Sequence, residues 1–182
     1  MPEIYFPEED SFLLSDVLKK EVPKILKKNP NPKILEIGSG SGFQVETLLS
    51  LGVHPKHITL TDINPDAFKF LKEKFKHSKV IHSNLFDKLN KKYDLIFFNP
   101  PYLPEDAREP KGSRLATTGG KSGSEVVKEF LKDAKNHLNP DGKIFLLTSS
   151  LTSGINWSKY NKKVLAKKKL FFEELVVWEL SL

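Results

Sequence analysis

The chain has 182 residues, with 29 lysines and arginines against 23 acidic residues and a formal net charge of +6. The absence of cysteine excludes disulfides, thiolate nucleophiles and cysteine-ligated zinc, and the five histidines show no metal-ligand spacing. No apolar segment approaches the ~20 residues of a membrane-spanning helix, and the acidic start lacks the order of a secretion signal. We expect one cytoplasmic domain over residues 1–182, with no metal site and no membrane contact.

The first segment is aromatic and acidic, and it predicts the start of a helix. Tyr5-Phe6-Pro7 precedes Glu9, Asp10 and Ser11, and apolar residues then recur at helical spacing. Proline near the first turn and acids at the amino end match the helix macrodipole, so we predict a helix over residues 8–20. Capping preference alone would also explain the acids. Lys24 to Pro32 is predicted to be a connection.

A glycine-rich turn follows the first predicted strand. Residues 33–37 are a short apolar run, Gly38-Ser39-Gly40-Ser41-Gly42 comes next, and helical spacing continues from Phe43 to Leu51. Glycines in such a turn let backbone N–H groups approach a nucleotide-like ligand. The dinucleotide and phosphate-loop fingerprints both fail here. Glu36 would repel a pyrophosphate but accept from an ammonium or a hydroxyl, which favours a cofactor with an amino-acid part and no phosphate.

Polar residues also follow the next two predicted strands. Residues 57–61 form the second strand. Asp62 after it is placed either to accept ribose hydroxyls or to cap a helix that runs to about His77. Residues 79–82 form a third, short strand. Asn84 after it would read an adenine edge or simply make a turn.

The fourth strand carries the most distinctive tip. Tyr93 to Phe98 is an apolar run that predicts a buried strand, and Asn99-Pro100-Pro101-Tyr102 ends it. Neither proline donates a backbone hydrogen bond, so the tip offers carbonyl oxygens, one carboxamide and one phenol. Such a tip suits a planar –NH2 group, although an isolated Asn-Pro-Pro is also a common turn.

The second half of the chain predicts a loop, a helix and three strands. Residues 103–120 lack periodicity and fit a lid or binding loop. Ser122-x-x-Glu125 is a capping-box signal for a helix to about Leu138. The remaining predictions are a turn over 139–142, a strand over 143–148, a short helix or loop over 151–160, and a hairpin of 162–166 with 174–180.

The basic character of the chain has two interpretations. Six lysines lie between Lys159 and Lys169, where they form either a solvated sheet edge or a partner surface. The net charge is a weak argument for a nucleic-acid partner.

The alternation of strands and helices predicts an α/β fold, a doubly wound and mostly parallel seven-stranded sheet with an antiparallel carboxyl-terminal hairpin. Ligands of such sheets bind at the carboxyl ends of the strands. The glycine turn, Asp62, Asn84 and Asn99 all follow such ends. The sequence therefore predicts one shared site.

These motifs together resemble the HemK-like class I S-adenosylmethionine-dependent methyltransferases, which act on a glutamine of peptide chain release factors. The resemblance covers nearly the whole chain. It is carried by Tyr5-x-Pro7-x-Glu9-Asp10-Ser11, Glu36-x-Gly38-x-Gly40-x-Gly42, Asp62-x-Asn64, Asn84-Leu85-Phe86 and Asn99-Pro100-Pro101-Tyr102. The early start of the core resembles the compact archaeal and eukaryotic form. The stretch 117–123 lacks the aromatic residue often found ahead of the family's glycine pair.

The resemblance implies a role for each motif. S-Adenosylmethionine would be held by Glu36 and by the turn with Gly38, Gly40 and Gly42 at its methionine part. Asp62 would bind the ribose hydroxyls, Asn84 and Leu85 the adenine, and Ser11 would add a hydroxyl near the cofactor. In the acceptor site the Asn99 side-chain oxygen and the Pro100 carbonyl would accept the two protons of the glutamine –NH2 group, with Pro101 beside them and Tyr102 packed on the planar amide.

The resemblance also implies partners, and other functions compete with it. A release factor would be the substrate, and a small zinc-binding activator would pair with the third strand, Lys79 to His82, at the sheet edge. The rival functions are N6-adenine methylation of DNA or RNA, methylation of a protein lysine, and cofactor binding without catalysis. No base-reading domain is apparent, which counts against adenine.

Overall fold

The computed structural model describes residues 4–106 and 117–182. Within them, the chain forms four α-helices and seven β-strands. The first half contains α1 (Glu9–Lys28), β1 (Ile34–Ile37), α2 (Phe43–Ser50), β2 (Ile58–Asp62), α3 (Pro65–Lys74), β3 (Lys79–His82) and β4 (Tyr93–Phe98). The second half contains α4 (Glu125–Ala134), β5 (Leu138–Ser149), β6 (Asn161–Lys169) and β7 (Glu174–Ser181).

All seven strands form one sheet in the order β3-β2-β1-β4-β5-β7-β6. The first five are parallel, and β7 runs antiparallel to both of its neighbours. The chain crosses outward from β1 to β3 and then returns to start β4 on the other side of β1. The predicted doubly wound sheet with an antiparallel hairpin is confirmed, and the point where the strand order reverses lies between β1 and β4.

Alternate residues of the central strands build a core on each face of the sheet. In β4, Leu95 and Phe97 face the cluster formed with α1, α2 and α3, while Ile96 and Phe98 face the cluster formed with α4. Strands that are covered on both faces have continuous apolar sequences, and for this reason β1 and β4 could be predicted from the sequence. The two layers of helices hold the strand ends in place.

Helix α1 is longer than its sequence pattern predicts. It continues through Pro23 to Lys28, so the predicted connection from Lys24 is wrong over its first five residues. Proline within a helix removes one hydrogen bond and disturbs the turn before it. Val22 is fully buried, and Ile25 and Leu26 pack against the same core. Their burial compensates for the proline, a tertiary effect that local propensity does not contain.

The predicted boundaries of two helices are also corrected. Asn64 caps α3, because its side-chain oxygen accepts from the Asp66 N–H at 2.9 Å, and the predicted cap Asp62 lies outside the helix. The helix ends at Lys74, short of His77. Helix α4 begins at Glu125 and ends at Ala134, short of the predicted end at Leu138, which instead begins β5. Only half of the predicted capping box forms, since the Glu125 carboxylate accepts from the Ser122 N–H at 3.1 Å without a reciprocal bond.

At the end of the chain the predicted hairpin is confirmed, whereas β5 begins earlier than predicted. The turn predicted at 139–142 lies inside β5, where the pairing shifts between Tyr93 and Leu95 of β4 and Asp141 has a φ of 62°. Residues 151–160 form a loop. Strand β6 is the edge strand and most of its lysines are exposed, so the lysine-rich segment does lie at a sheet edge.

Gly42 shows how tightly α2 and α3 are joined beneath the glycine turn. It precedes α2 with a φ of 75°, and a Cβ placed there would lie 2.3 Å from Phe75 Cε2. Gly52 follows the other end of α2 with a φ of 85° and nothing within 4 Å of a Cβ position. The two glycines share a left-handed conformation and differ in packing.

We expect Gly42→Ala to destabilise the protein more than Gly52→Ala. Both substitutions meet left-handed strain of about 1–2 kcal/mol, and Gly42→Ala adds an overpacking cost of about 1–3 kcal/mol against Phe75. Urea unfolding of both variants measures the difference. Equal losses would show that the Phe75 ring moves aside without cost.

Candidate active site

The carboxyl ends of the parallel strands surround a cleft of about 1060 Å³. Its lining includes ten of the residues that the sequence singled out: Ser11, Glu36, Gly38, Gly40, Asp62, Asn84, Leu85, Asn99, Pro100 and Pro101. The cleft does not include Gly42, which packs against Phe75, or Tyr102, which lies behind the Asn99 tip. The structure thus brings together the tips of β1, β2, β3 and β4 as predicted.

Glu36 is a buried carboxylate at the floor of the cleft. Only 4% of its surface is exposed, and its Oε2 atom has no hydrogen-bond partner within the described residues. Burial, together with the nearby charge of Asp62, raises the Glu36 pKa well above its usual value. A carboxylate in this position stabilises a ligand that donates hydrogen bonds or carries positive charge.

Asp62 joins the glycine turn to the end of β2. One carboxylate oxygen accepts from the Gly40 N–H and the other from the Asn64 N–H, each at 2.8 Å. Burial raises the Asp62 pKa, and these backbone hydrogen bonds oppose the rise. Each oxygen keeps a further lone pair for a ligand hydroxyl.

Further polar atoms near Glu36 also lack partners in the described part of the chain. They are Ser39 Oγ and Gln44 Oε1, on side chains that are each 5% exposed. Gln44 is held in place because its Nε2 donates to the Ser11 carbonyl oxygen at 2.7 Å. Buried polar groups are nearly always paired, so this cluster points to a polar ligand. Gln44 was missed by sequence reasoning, since glutamine within a helix is common and carries no signal of its own.

Asn99 is oriented by a hydrogen bond to the first helix. Its Nδ2 donates to Asp10 Oδ2 at 2.9 Å, while its Oδ1 is buried without a partner in the described residues. The Tyr102 hydroxyl donates to the same Asp10 oxygen at 3.4 Å. The amide therefore offers a free acceptor, as predicted from the Asn-Pro-Pro-Tyr tip.

Asp10 is a residue of the cleft that the sequence analysis named without assigning a role. It is 5% exposed, and its Oδ1 accepts from the Tyr5 hydroxyl at 2.8 Å and from the Ser11 N–H at 2.6 Å. Burial and the Asp10 charge raise the pKa values of Tyr5 and Tyr102, so both phenols stay protonated as donors. The bunched acids at residues 9–10 were the available signal, but helix capping explained them equally well.

Two glycines let a second segment lie against the Asn99 tip. A Cβ on Gly119 would lie 2.6 Å from the Pro101 carbonyl oxygen, and one on Gly123 would lie 2.4 Å from that of Tyr102. The Thr152 hydroxyl also donates to the Tyr102 carbonyl at 3.1 Å. These contacts fix the tip from behind. Residues 107–116 of the predicted lid lie outside the described residues.

The cleft is acidic in a basic protein. Seven carboxylate side chains line it, and no lysine, arginine or histidine is found among its described lining residues. The acids are Asp10, Glu36, Asp62, Asp66, Glu105, Glu125 and Glu129.

A Rossmann-like sheet with a polar cleft at its switch point places the chain among the α/β proteins that bind ligands at the carboxyl ends of their strands. The methyltransferase small domain family matches residues 13–154, and the chain belongs to that family. The predicted enzyme class and the resemblance to HemK-like proteins are confirmed.

Named relatives cover most of the chain. A Methanocaldococcus jannaschii protein, provisionally named a protein N5-glutamine methyltransferase, is 38% identical across 97% of this chain and 90% of its own length. Human methyltransferase HEMK2 is 33% identical across 80% of this chain and 72% of its own. The eRF1 methyltransferase catalytic subunit mtq2 of Schizosaccharomyces pombe is 28% identical, with the same two coverages.

A solved structure shares the fold. The Encephalitozoon cuniculi Mtq2–Trm112 complex, described as responsible for methylation of the termination factor eRF1, matches with a TM-score of 0.68 at 23% identity over 98% of both chains. No helix in the described part of this chain is long and apolar enough to cross a membrane. Nor do the described residues contain a group of three or more potential metal ligands.

We expect Glu36→Gln to stabilise the free protein and to weaken cofactor binding. Because burial raises the folded-state pKa, the folded chain keeps a proton that the unfolded chain releases above about pH 4.3. Stability contributed by this group is therefore lost as the pH rises from there toward the raised pKa. The glutamine removes that loss, so its stabilising effect should grow with pH.

Thermal unfolding between pH 4 and 8, with S-adenosylmethionine titration by calorimetry, measures both effects. Glu73→Gln, on an exposed position of α3, is the matched control and should change neither. A Glu36→Gln protein that is less stable at pH 8 than at pH 5, relative to the parent chain, would contradict the assignment.

Proposed function

We propose that this protein transfers a methyl group from S-adenosylmethionine to the side-chain amide nitrogen of a glutamine in a peptide chain release factor. The observation that carries the proposal is the buried, unpartnered Oδ1 of Asn99 at the edge of the cleft. An amide –NH2 group needs acceptors for its two protons, and Asn99 Oδ1 is such an acceptor.

The unpartnered polar groups of the cleft suit S-adenosylmethionine. Glu36, Ser39 and Gln44 would meet its amino-acid end, where an ammonium donates hydrogen bonds. Asp62 retains acceptor capacity for ribose hydroxyls, and Asn84 and Leu85 line the wall beyond it, where an adenine would lie. When bound, the cofactor supplies an electrophilic methyl group on a sulfonium.

The residues of the strand tip would orient the acceptor amide. An amide nitrogen is a poor nucleophile because its lone pair is delocalised, so the site must favour its pyramidal form. Asn99 Oδ1 and the Pro100 carbonyl oxygen would each accept a hydrogen bond from the –NH2 group, and Pro101 would lie beside them. Tyr102 supports Asn99 from behind through Asp10, and whether it also packs on the substrate amide stays a prediction.

The charge of the cleft favours a protein acceptor over a nucleic acid. Proteins bind the phosphate backbone of a nucleic acid through lysine and arginine. The described walls of the cleft carry carboxylates instead. The names of the relatives point the same way, because they describe glutamine methyltransferases and an eRF1 methyltransferase subunit. A release-factor glutamine in a Gly-Gly-Gln loop is therefore the proposed acceptor.

We also propose a small activator subunit of the kind present in the Mtq2–Trm112 complex. Strand β3 is the edge strand on the side of the cleft, and its residues are only partly buried. Edge strands present unpaired backbone groups that a partner strand pairs with. The activator would add a strand beside β3 and cover the nearby exposed Ile63 and Phe70.

We expect methylation of a co-expressed release factor to depend on Asn99. Asn99→Ala should lower kcat by about 100-fold or more, since it removes a positioned acceptor, and should leave cofactor affinity within a few fold. Mass spectrometry should place the methyl group on the Gly-Gly-Gln glutamine. The exposed Asn90→Ala is the matched control.

The same assay separates the rival functions. Oligonucleotides and a Gly-Gly-Lys variant of the release factor are offered in parallel. Methyl transfer to adenine, to lysine, or at full rate by the Asn99→Ala protein would overturn the assignment.

We expect binding of the activator to depend on the exposed edge of β3. Val80→Pro should abolish co-purification with a Trm112-like protein, because the ring disrupts strand addition. Lys163→Pro on β6, the opposite edge of the sheet, should not. Co-purification that survives the β3 change would place the activator elsewhere.

A further inference from the structure

We propose that Asp10 is a positioning residue that fixes which end of the Asn99 carboxamide faces the acceptor. The catalytic role of this orientation rests on the proposed function. The hydrogen bond between Asp10 and Asn99 does not depend on that proposal. Asp10 lies in the first turn of α1, and Asn99 lies 89 residues later at the end of β4.

A carboxamide has two orientations of nearly the same shape. One presents oxygen to the cleft, and the other presents –NH2. An ionised carboxylate only accepts hydrogen bonds, so Asp10 Oδ2 selects the orientation in which Asn99 Nδ2 points toward it, at 2.9 Å. Asn99 Oδ1 is then left without a partner among the described residues.

Asp10 is itself held firmly enough to make this choice. Tyr5, the Ser11 N–H and Tyr102 donate to its two oxygens, and the side chain is almost fully buried. These donors are neutral. Within residues 4–106 and 117–182, no lysine or arginine is found donating to this carboxylate, so no cation there competes with Asn99 as its donor. Its position near the amino end of α1 adds a favourable interaction with the helix dipole.

The arrangement predicts that exchanging the two side chains preserves the acceptor. In Asp10→Asn the new amide can donate to Asn99 Oδ1, so the Asn99 carboxamide reverses its orientation. Its –NH2 group then faces the –NH2 group of the substrate glutamine, and no acceptor is left there. In Asn99→Asp two carboxylates meet. In the double variant the amide introduced at position 10 donates to one oxygen of the carboxylate introduced at position 99, and the other oxygen again faces the cleft.

The test compares the parent chain, both single variants and the double variant with a release factor as substrate. We expect kcat to fall at least about tenfold in each single variant and to recover at least about tenfold in the double variant relative to either. Affinity for S-adenosylmethionine should stay within a few fold throughout. A double variant no more active than Asp10→Asn, or an Asp10→Asn protein with the parent kcat, would overturn the proposal.

A matched control lies at the amino-terminal ends of β4 and β5, the end of the sheet away from the cleft. There Asn139 Nδ2 donates to Asp94 Oδ1 at 2.8 Å, the same kind of contact away from the cleft. Asp94→Asn should lower stability and leave kcat unchanged. An equal loss of kcat in that variant would show that Asp10→Asn acts only through the fold.

Two readouts do not depend on methyl transfer. The side-chain ¹⁵N–H signals of Asn99, assigned from their loss in Asn99→Asp, should show one proton protected from exchange, and Asp10→Asn should alter that protection. Unfolding free energies of the four proteins should show the same rescue in the double variant. If the parent chain leaves release factor unmethylated, the proposed function fails while these readouts still decide the role of Asp10. Unchanged protection together with additive stabilities would overturn it.

Discussion

The parallel register around β1 is the constraint on which the rest of the molecule depends. Ile37 at the end of β1 pairs with Thr61 of β2 on one side and Phe98 of β4 on the other. All three strands therefore end at the same level, and the residues that follow them meet. A shift of one residue in either pairing would turn Glu36 or Asn99 to the opposite face of the sheet. The long-range pairing, and not any local motif, assembles the cleft.

The cleft contains buried polar atoms for which the described part of the fold supplies no hydrogen-bond partner. Glu36, Gln44 and Asn99 each bury an atom without a partner among the described residues. A buried polar group that is left without any hydrogen-bond partner costs about 1–3 kcal/mol of stability. A ligand that pairs with these atoms recovers that energy as affinity. Binding and stability are thus opposed at this edge, which is common where a site is built for a polar ligand.

Charge is segregated over the surface. Lysines concentrate on the exposed edge strand β6, where they discourage pairing with other chains, and Lys162 also packs over Trp157 and Trp178. The described cleft walls are acidic. A net charge of +6 therefore says little about the substrate, because the acidic side chains on the described walls of the cleft are opposite in sign to the net charge of the chain. The composition gave a weak argument for a nucleic-acid partner, and the acidic side chains on the described walls of the cleft do not support it.

The sequence by itself determined the elements and the motifs. Continuous apolar runs predicted β1 and β4, and the glycine turn and the Asn-Pro-Pro-Tyr tip predicted where a ligand would lie, because these signals are local. The extent of α1 beyond Pro23, the cap at Asn64 and the structural role of Gly42 depended on packing. Asp10 is the clearest case. Its sequence position is compatible with a helix cap or a functional group, and only the folded chain reveals the contact on which its proposed role rests, 2.9 Å between Asp10 Oδ2 and Asn99 Nδ2.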